Sequence, residues 1–506
     1  MSYIKSRHAP RSPESPPPVR NSGYSQHGAS RSKPAFLSWF AESRSAHEDI
    51  TENQELLRER SRDLYAGGGP LGRGAVDRLA LNAVGSGLRL NVRIDPELLG
   101  MTDDEGRKWT ARVESEFDYW ASSKSASYDG QLSFYEMQAL AFRSVLLDGE
   151  CLLRLRDTPY HSRNIYTLCL ELIESERLTT GEAHSMLSKI PADGVECDEN
   201  GRPIAYWVAN RNPNSTRAGL PPLEWNRYEI YTGFPERRVM FLLMDSERIG
   251  QKRGVPFLAP VIEQLKQLGR YTDAELMAAV ISGMYAVFFQ HEPRPEGAIG
   301  EEEYASEEGL GDFPGLEGIS QKEMYGMIMD LPEGVKPVGI SPSRPNTSFD
   351  AFVSSLLRQI GGCLGIPSEL LTLNFTASYS ASRGALLEAW KLFRYWRSWF
   401  SENFCQCVYE DWLTEAVMKG RVSAPGYMDD DYIRSLYTWA EWTGPSQGQL
   451  NPVQEVNAAI LKAQHGLSTW QRETSELTGG DFDLNMKQKK REESLMTEGT
   501  NVQDKG

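Results

Sequence analysis

The chain is 506 residues long, with 40% hydrophobic and 25% charged residues; that is the make-up of folded proteins, at a length beyond one hydrophobic core. Its net charge of −16 excludes a protein that wraps nucleic acid on a broad basic face, but not one past which nucleic acid moves. No apolar run is long enough for a membrane-spanning helix and the opening residues lack the apolar core of a secretory signal. No membrane contact is therefore expected, and the sequons at Asn214, Asn346 and Asn374 read as chance matches.

Residues 1–46 are rich in Ser, Pro and Arg. Lys5, Arg7, Arg11, Arg20, Arg31, Lys33 and Arg44 are set against only Glu14 and Glu42. Such a segment buries too little surface to offset its ordering entropy, which predicts a flexible basic arm that is either a plain tail or a contact for DNA or an acidic surface. From 51 to 254 the pattern is mixed. "ENQELLRERSRDLY" and "GRGAVDRLALNAVG" read as helices, with Gly85 and Gly87 as a stop before a strand at "LRLNVRI". "SFYEMQALAFRSVLLDG" reads as an amphipathic helix, with Tyr135, Leu140, Phe142 and Leu146 on its apolar face. Strands follow at "ECLLRLR" and "IYTLCLELIE", then a hairpin at "GVECDENGRPIAYWV". Together these make an α+β region.

A long helical pattern begins after Gly254 and runs about thirty residues, with Leu265, Leu268, Leu276, Val280 and Met284 on one side. It ends in an apolar stretch at 286–289. The next block is acidic and punctuated by Gly and Pro; Glu301, Glu302, Glu303, Glu307 and Glu308 cluster there, as a solvated loop or a docking surface for a basic partner. "MYGMIMDLPEGVKPVGI" reads as two short strands around a Pro-Glu-Gly turn. A second helix covers 348–364, with Phe349, Phe352, Leu356 and Ile360 as its apolar face. The polar loop "NFTASYSASRG" follows, and then a helix of over thirty residues. Its stripe runs Leu386, Trp390, Phe393, Trp396, Phe400, Phe404, Val408 and Trp412, a spacing that predicts core or subunit contact. Past Gly420 come loops and helices at "QEVNAAILKAQHGLS" and "QRETSELTGG", and then a charged tail expected to fray.

The chemistry-bearing patterns are absent from the sequence. There is no G-x-x-x-x-G-K-[ST] phosphate loop, and no G-x-S-x-G elbow frames Ser378, Ser380 or Ser382. His8, His27, His47, His161, His184, His291 and His465 form no H-E-x-x-H and no pair at metal spacing. Cys151, Cys169, Cys197, Cys363, Cys405 and Cys407 are scattered, as buried thiols rather than a disulfide framework. No pair of carboxylates stands in an apolar run that would split its pKa values. No enzyme, cofactor or metal is expected, and Ser380 or Ser382 is expected to cap the helix that follows the loop.

Six segments in order, from about residue 50 to 480, together resemble one family, the portal proteins of tailed bacteriophages, and specifically its lambda-type branch. They are "GRGAVDRLALNAVGSGLRL", "FYEMQALAFRSVLLDGECLLRL", "DENGRPIAYWV", "RIGQKRGVPFLAPVIEQLKQLGRYTDAELMAAV", "LLRQIGGCLGIPSELLTLNFTASYSASRGALLEAW" and "NPVQEVNAAILKAQHGLST". The arm and the acidic insertion near Glu301 fall outside these stretches.

The resemblance implies an α+β portal fold assembled as a ring of twelve subunits at one capsid vertex. Double-stranded DNA would be driven through its channel by a separate ATPase, the terminase, and later ejected. That division of labour accounts for the missing phosphate loop. Carried over by position, 47–254 would be the wing, 255–289 and 347–365 the stem helices, and 290–346 the clip. The tunnel loop would be 366–382, the linking helix 383–420, the crown 421–485 and a flexible tail 486–506. Asn374, Thr376, Ser378, Tyr379, Ser380 and Arg383 would line the DNA channel, where hydroxyls and amides offer weak, interchangeable hydrogen bonds. Arg383 would either pair with an acid of a neighbouring subunit or reach a phosphate. Glu301, Glu302, Glu303, Glu307 and Glu308 would face the terminase large subunit and then the head–tail adaptor. Major capsid and scaffold proteins are further implied partners, the virion and, during assembly, the host cytoplasm the implied locations. The rival readings are a capsid-associated nuclease or hydrolase, or a scaffold or adaptor with no channel.

Overall fold

The computed structural model describes residues 24, 28–30, 32–67, 69–158, 164–180, 193–233, 237–283, 287–291, 335–339, 348–375, 378–448 and 451–503. Its first half is helices packed on small antiparallel sheets. Helices Gln54–Ala66 and Pro70–Ala83 form where the sequence predicts them, and Gly85 and Gly87 take the positive φ that ends the second. Helix Phe134–Asp148 opens on a capping box in which Ser133 and Glu136 satisfy each other's backbone N–H groups. Helix Asp103–Ser122, started by the same device at Thr102 and Glu105, has no counterpart in the sequence reading. Leu140, assigned to an apolar face, is 43% exposed, because the helix buries the face through Met137, Ala141 and Val145 instead.

Strand Glu150–Asp157 lies between Leu168–Ile173 and Met240–Met244 in one antiparallel sheet. The hairpin forms as predicted from Val195–Cys197 and Pro203–Ala209, its turn closed by the Asp198 carboxylate accepting from the N–H groups of Asn200 and Arg202. Strand Trp225–Glu229 extends it. The predicted strand at Arg89–Val92 pairs with Ala440–Thr443, a strand in a region read only as loops and helices.

The helix expected from 255 begins at Ile262, after a 3₁₀ turn at Ala259–Val261, and runs to Gly283. Pro256 and Pro260 lack the N–H groups an earlier start would use. Leu265 and Leu268 are buried, whereas Leu276 and Val280 farther along the predicted stripe are exposed. Strand Val287–His291 pairs with Val335–Gly339; residues 292–334, with all five clustered glutamates and the first of the two short strands expected around the Pro-Glu-Gly turn, lie outside the described residues. Helix Phe349–Leu364 turns Leu357, Ile360 and Leu364 to the core, while Phe352 is 48% exposed and sets its ring edge-on to Tyr271, 5.0 Å away. The charged tail is a helix, Phe482–Gln503, rather than a frayed end. All six cysteines are free, three of them buried and Cys363 exposed.

The long helix is continuous from 379 to 418 but is interrupted by one π turn at Ser401–Cys405. The stripe explains it. Phe400, Phe404, Val408 and Trp412 advance by four, and each step overshoots a 3.6-residue turn by about 40°. Three steps accumulate about 120°, and the one extra residue of a π turn takes back about 100°. All four side chains are consequently 0% exposed. They meet helix Asp103–Ser122 at Phe117, whose ring lies 5.0 Å from Trp412 and 5.7 Å from Phe134, and Phe134 stacks on Phe404 at 5.8 Å.

Beneath this core the chain buries a set of charges that sequence patterning did not reveal. The Arg253 Nε donates to both Glu150 carboxylate oxygens at 2.9 and 3.1 Å, and Glu150 is wholly buried. Arg62 forks onto Asp148 at 2.6 and 2.8 Å and reaches Glu176 at 2.9 Å; Arg58 lies 3.3 Å from Glu176. Burial raises the Asp148 carboxyl above its ordinary pKa against the pull of Arg62. Gly149 and Gly254 lie back to back there: a Cβ on Gly149 would stand 2.6 Å from the Gly254 carbonyl carbon, and Gly149 has φ +85°.

Two outcomes follow. Arg253→Ala leaves Glu150 buried with only the Gly254 N–H at 2.8 Å and Arg58 at 3.9 Å, and lowers unfolding free energy by about 3–5 kcal/mol, with Arg253→Lys intermediate, as read by denaturant unfolding. The second concerns Glu114, which accepts from Val92 N–H at 2.8 Å and whose pKa burial raises from 4.5 to about 7, with Asp481 adding repulsion. A raised folded-state pKa means the native protein holds the proton more tightly, so stability falls as pH rises from 4.5 to 7 and is level above. Glu114→Gln removes that slope, and the variant exceeds the parent by about 2–3 kcal/mol at pH 8 but not at pH 4.5.

Candidate functional site

The polar loop is held between two core-anchored helix ends. Helix Phe349–Leu364 stops at Gly365 in the left-handed conformation, and Ile366, 0% exposed, pins the chain as it leaves. A short helix, Ser368–Thr372, buries Leu371, and the next helix starts at Tyr379, so helices enter both ends of the expected 366–382. Leu373 has φ +54°, the one described non-glycine residue with positive φ, and it is 54% exposed. It turns the chain outward. The Asn374 N–H donates to Glu369 O at 3.1 Å, and Asn374 and Phe375 are exposed.

The helix beyond the loop starts at Tyr379, with Ser378 as its N-cap: the Ser378 hydroxyl accepts from Ala381 N–H at 3.4 Å. This corrects the expectation of Ser380 or Ser382. Four hydroxyl residues in seven positions give no local signal to choose the cap. Ser380 is exposed in the first turn, and the Ser382 hydroxyl is buried with no hydrogen-bond partner. Thr376 lies outside the described residues, as do Glu301, Glu302, Glu303, Glu307 and Glu308.

Arg383 has a partner within the chain that the sequence reading did not name. Its guanidinium lies 3.5 Å from Glu455 of the same chain, on helix Pro452–Gln464. Glu455 went unnoticed because nothing local ties it to a residue so far upstream. No charged residue occurs from 370 to 382, and the first cation after the loop is neutralised. The site therefore presents amide, hydroxyl and apolar groups without fixed charge. Among the described residues, no group of three His, Cys, Asp or Glu side chains is placed to hold a metal, and no helix is long and apolar enough to cross a membrane.

The same stretch lies inside a clear family match. A sequence model of the lambda family of phage portal proteins matches residues 32–397. The portal protein of Escherichia phage N15 is 24% identical over 472 residues, covering 90% of this chain and 87% of that protein. Portal protein B of Escherichia phage lambda is 23% identical over 428 residues, covering 81% and 78%. Among solved structures, a chain in the neck of a native gene transfer agent particle, computed with C12 symmetry, is 16% identical at a TM-score of 0.40, covering 84% of this chain and 93% of that one. That likeness is too loose to equate individual elements. The family match spans most of the sequence, and the chain belongs to the lambda family of phage portal proteins.

Proposed function

We propose that this portal protein assembles as a ring, that double-stranded DNA passes through it during packaging and ejection, and that the loop at 373–378 borders the channel. The observation that carries the loop assignment is its charge pattern: exposed Asn374, Ser378 and Ser380, no charge from 370 to 382, and Arg383 already paired to Glu455. A polyanion sliding past fixed cations is retained by each of them, because every neutralised phosphate releases counterions and adds affinity. Neutral hydrogen-bonding groups exchange without such a trap.

Ring formation is supported by apolar side chains that the monomer leaves uncovered. Leu276 is 65% exposed, Met277 61% and Val280 45% on helix Ile262–Gly283, beside Phe352. Such a strip on one long helix suits the flank of an identical neighbour. A twelve-fold ring, docking of the terminase large subunit and of a head–tail adaptor on the acidic segment around Glu301 to Glu308, and contact with capsid and scaffold proteins complete the proposal.

Light scattering of the purified full chain reads the mass of the assembly, which is expected at about twelve times 56.9 kDa; a monomer under all conditions sinks the ring. For the loop, Asn374→Lys with Ser380→Lys leaves the Ser378 cap intact. The double variant is expected to assemble and melt as the parent does, but to package DNA at least about tenfold more slowly, with the deficit shrinking as salt rises. Packaging at the parental rate removes the loop from the channel.

A further inference from the structure

Well along the same long helix, away from the loop, lies a groove of about 950 Å³. Its floor is the stretch from Arg394 to Glu402, where the helix enters its π turn, a departure that recurs at functional sites. One wall is strand Ala440–Thr443 with the turn after it; the other is the first turns of helix Trp470–Thr478.

The groove's charges do not cancel. Arg93 pairs with Glu441 at 2.9 Å, and Arg472 with Glu476 at 3.3 Å. Glu402 accepts only from the Ser398 hydroxyl, at 3.2 Å. Arg394 and Arg397, three residues apart and so neighbours on one helix face, remain beside the unpaired Glu402 and leave the groove one positive charge in excess. Arg397 is held by carbonyls and lies 5.7 Å from the Trp390 ring centre: its Nε donates to Ala83 O at 2.9 Å and its Nη2 to Asn82 O at 2.9 Å and Pro445 O at 2.7 Å. Its Nη1 has no hydrogen bond, and Arg394 has neither a hydrogen bond nor an ion pair among the described residues. Burial, with the Arg394 charge beside it, lowers the Arg397 pKa to about 10. In a chain with 70 acidic residues, two adjacent guanidinium groups lack a carboxylate.

A third donor group converges on the same space. Thr469 caps helix Trp470–Thr478, and both Thr469 and Arg472 line the groove, so the positive end of a nine-residue helix borders it. Trp390 and Trp439 also line it, Trp439 being 61% exposed.

We propose that this groove binds a phosphate-bearing anion, with the Arg394 and Arg397 guanidinium groups as primary contacts and the Thr469 helix end as the secondary one. The planar fork of Arg394 matches phosphate oxygens two at a time, and Arg397 adds its Nη1 from a rigid clamp that lowers the entropy lost on binding. The volume exceeds what a lone phosphate needs, and the exposed Trp439 indole suits a base or sugar attached to it. Free phosphate compounds and a nucleic-acid backbone share this chemistry. The site is independent of the loop: a chain with an inert loop would still bind here.

Titration calorimetry on the assembled full chain at low salt tests the site, using inorganic pyrophosphate and a short DNA duplex as separate probes. Arg394 is exposed and unpaired, so Arg394→Gln leaves the fold intact, and Arg107→Gln, which does not line the groove, is the control. At least one probe is expected to bind the parent and the control alike, about tenfold more weakly to Arg394→Gln, and weaker still to Arg394→Glu. Binding of both probes in competition identifies the phosphate group itself as the ligand; binding of the duplex alone identifies the polymer backbone. Binding of neither, or equal binding to the parent and both Arg394 variants, overturns the proposal.

Discussion

The buried pairing of Arg253 with Glu150 fixes where the two halves of the chain meet. Removing two charges from water is expensive, and the expense is offset only where every donor and acceptor finds a partner. Here that condition dictates local structure. Glu150 takes Arg253 and the Gly254 N–H, Arg253 also donates to Leu178 O, and Gln54 reaches Gly254 O from the N-terminal helix. Such convergence requires backbones to touch, which is why glycine stands at both 149 and 254. Helix Ile262–Gly283 departs a few residues later, so its direction is set by this junction together with its buried Leu265 and Leu268. A helix that leaves Leu276, Met277 and Val280 uncovered needs such a root.

The long helix has the complementary role of a beam. One end carries the neutral loop through the Ser378 cap, and the π turn keeps the other end's aromatic stripe facing Phe117. Side bonds tie the beam to distant parts of the chain. Arg237 forks onto Asp411 at 2.6 Å, Glu415 accepts from the N–H groups of Thr167 and Leu168, and Arg397 joins the end of helix Pro70–Ala83 to Pro445. Arg383 links the loop end to helix Pro452–Gln464.

What was legible in the sequence was periodic or punctuated. The stripe from Trp390 to Trp412, the hairpin turn at Asp198–Arg202 and the helix ending at Gly149 all follow from spacing and turn chemistry within one element. The π turn was written in the run of four-residue steps, though as an aromatic stripe it reads like an ordinary helix. Pairings across the chain were not legible. Arg62 and Asp148 are 86 residues apart and Arg253 and Glu150 are 103, and a charged residue in a helical pattern looks the same whether it faces water or a buried partner. Strand Ala440–Thr443 was missed for a related reason: four residues take strand form because Arg89–Val92 offers an edge. At the loop, the uncharged run was visible, but its bounds were not, since hydroxyl residues before a helix compete for one cap.

The account stands on the neutral loop facing the space through which DNA moves. An electron cryo-microscopy map of the assembled full chain, at a resolution that traces side chains, reads this directly. A ring whose narrowest passage is bordered by residues 373–378, with Arg383 turned away toward Glu455, is the predicted result. A ring whose passage is bordered by a charged segment, with 373–378 on its outer surface, contradicts the account.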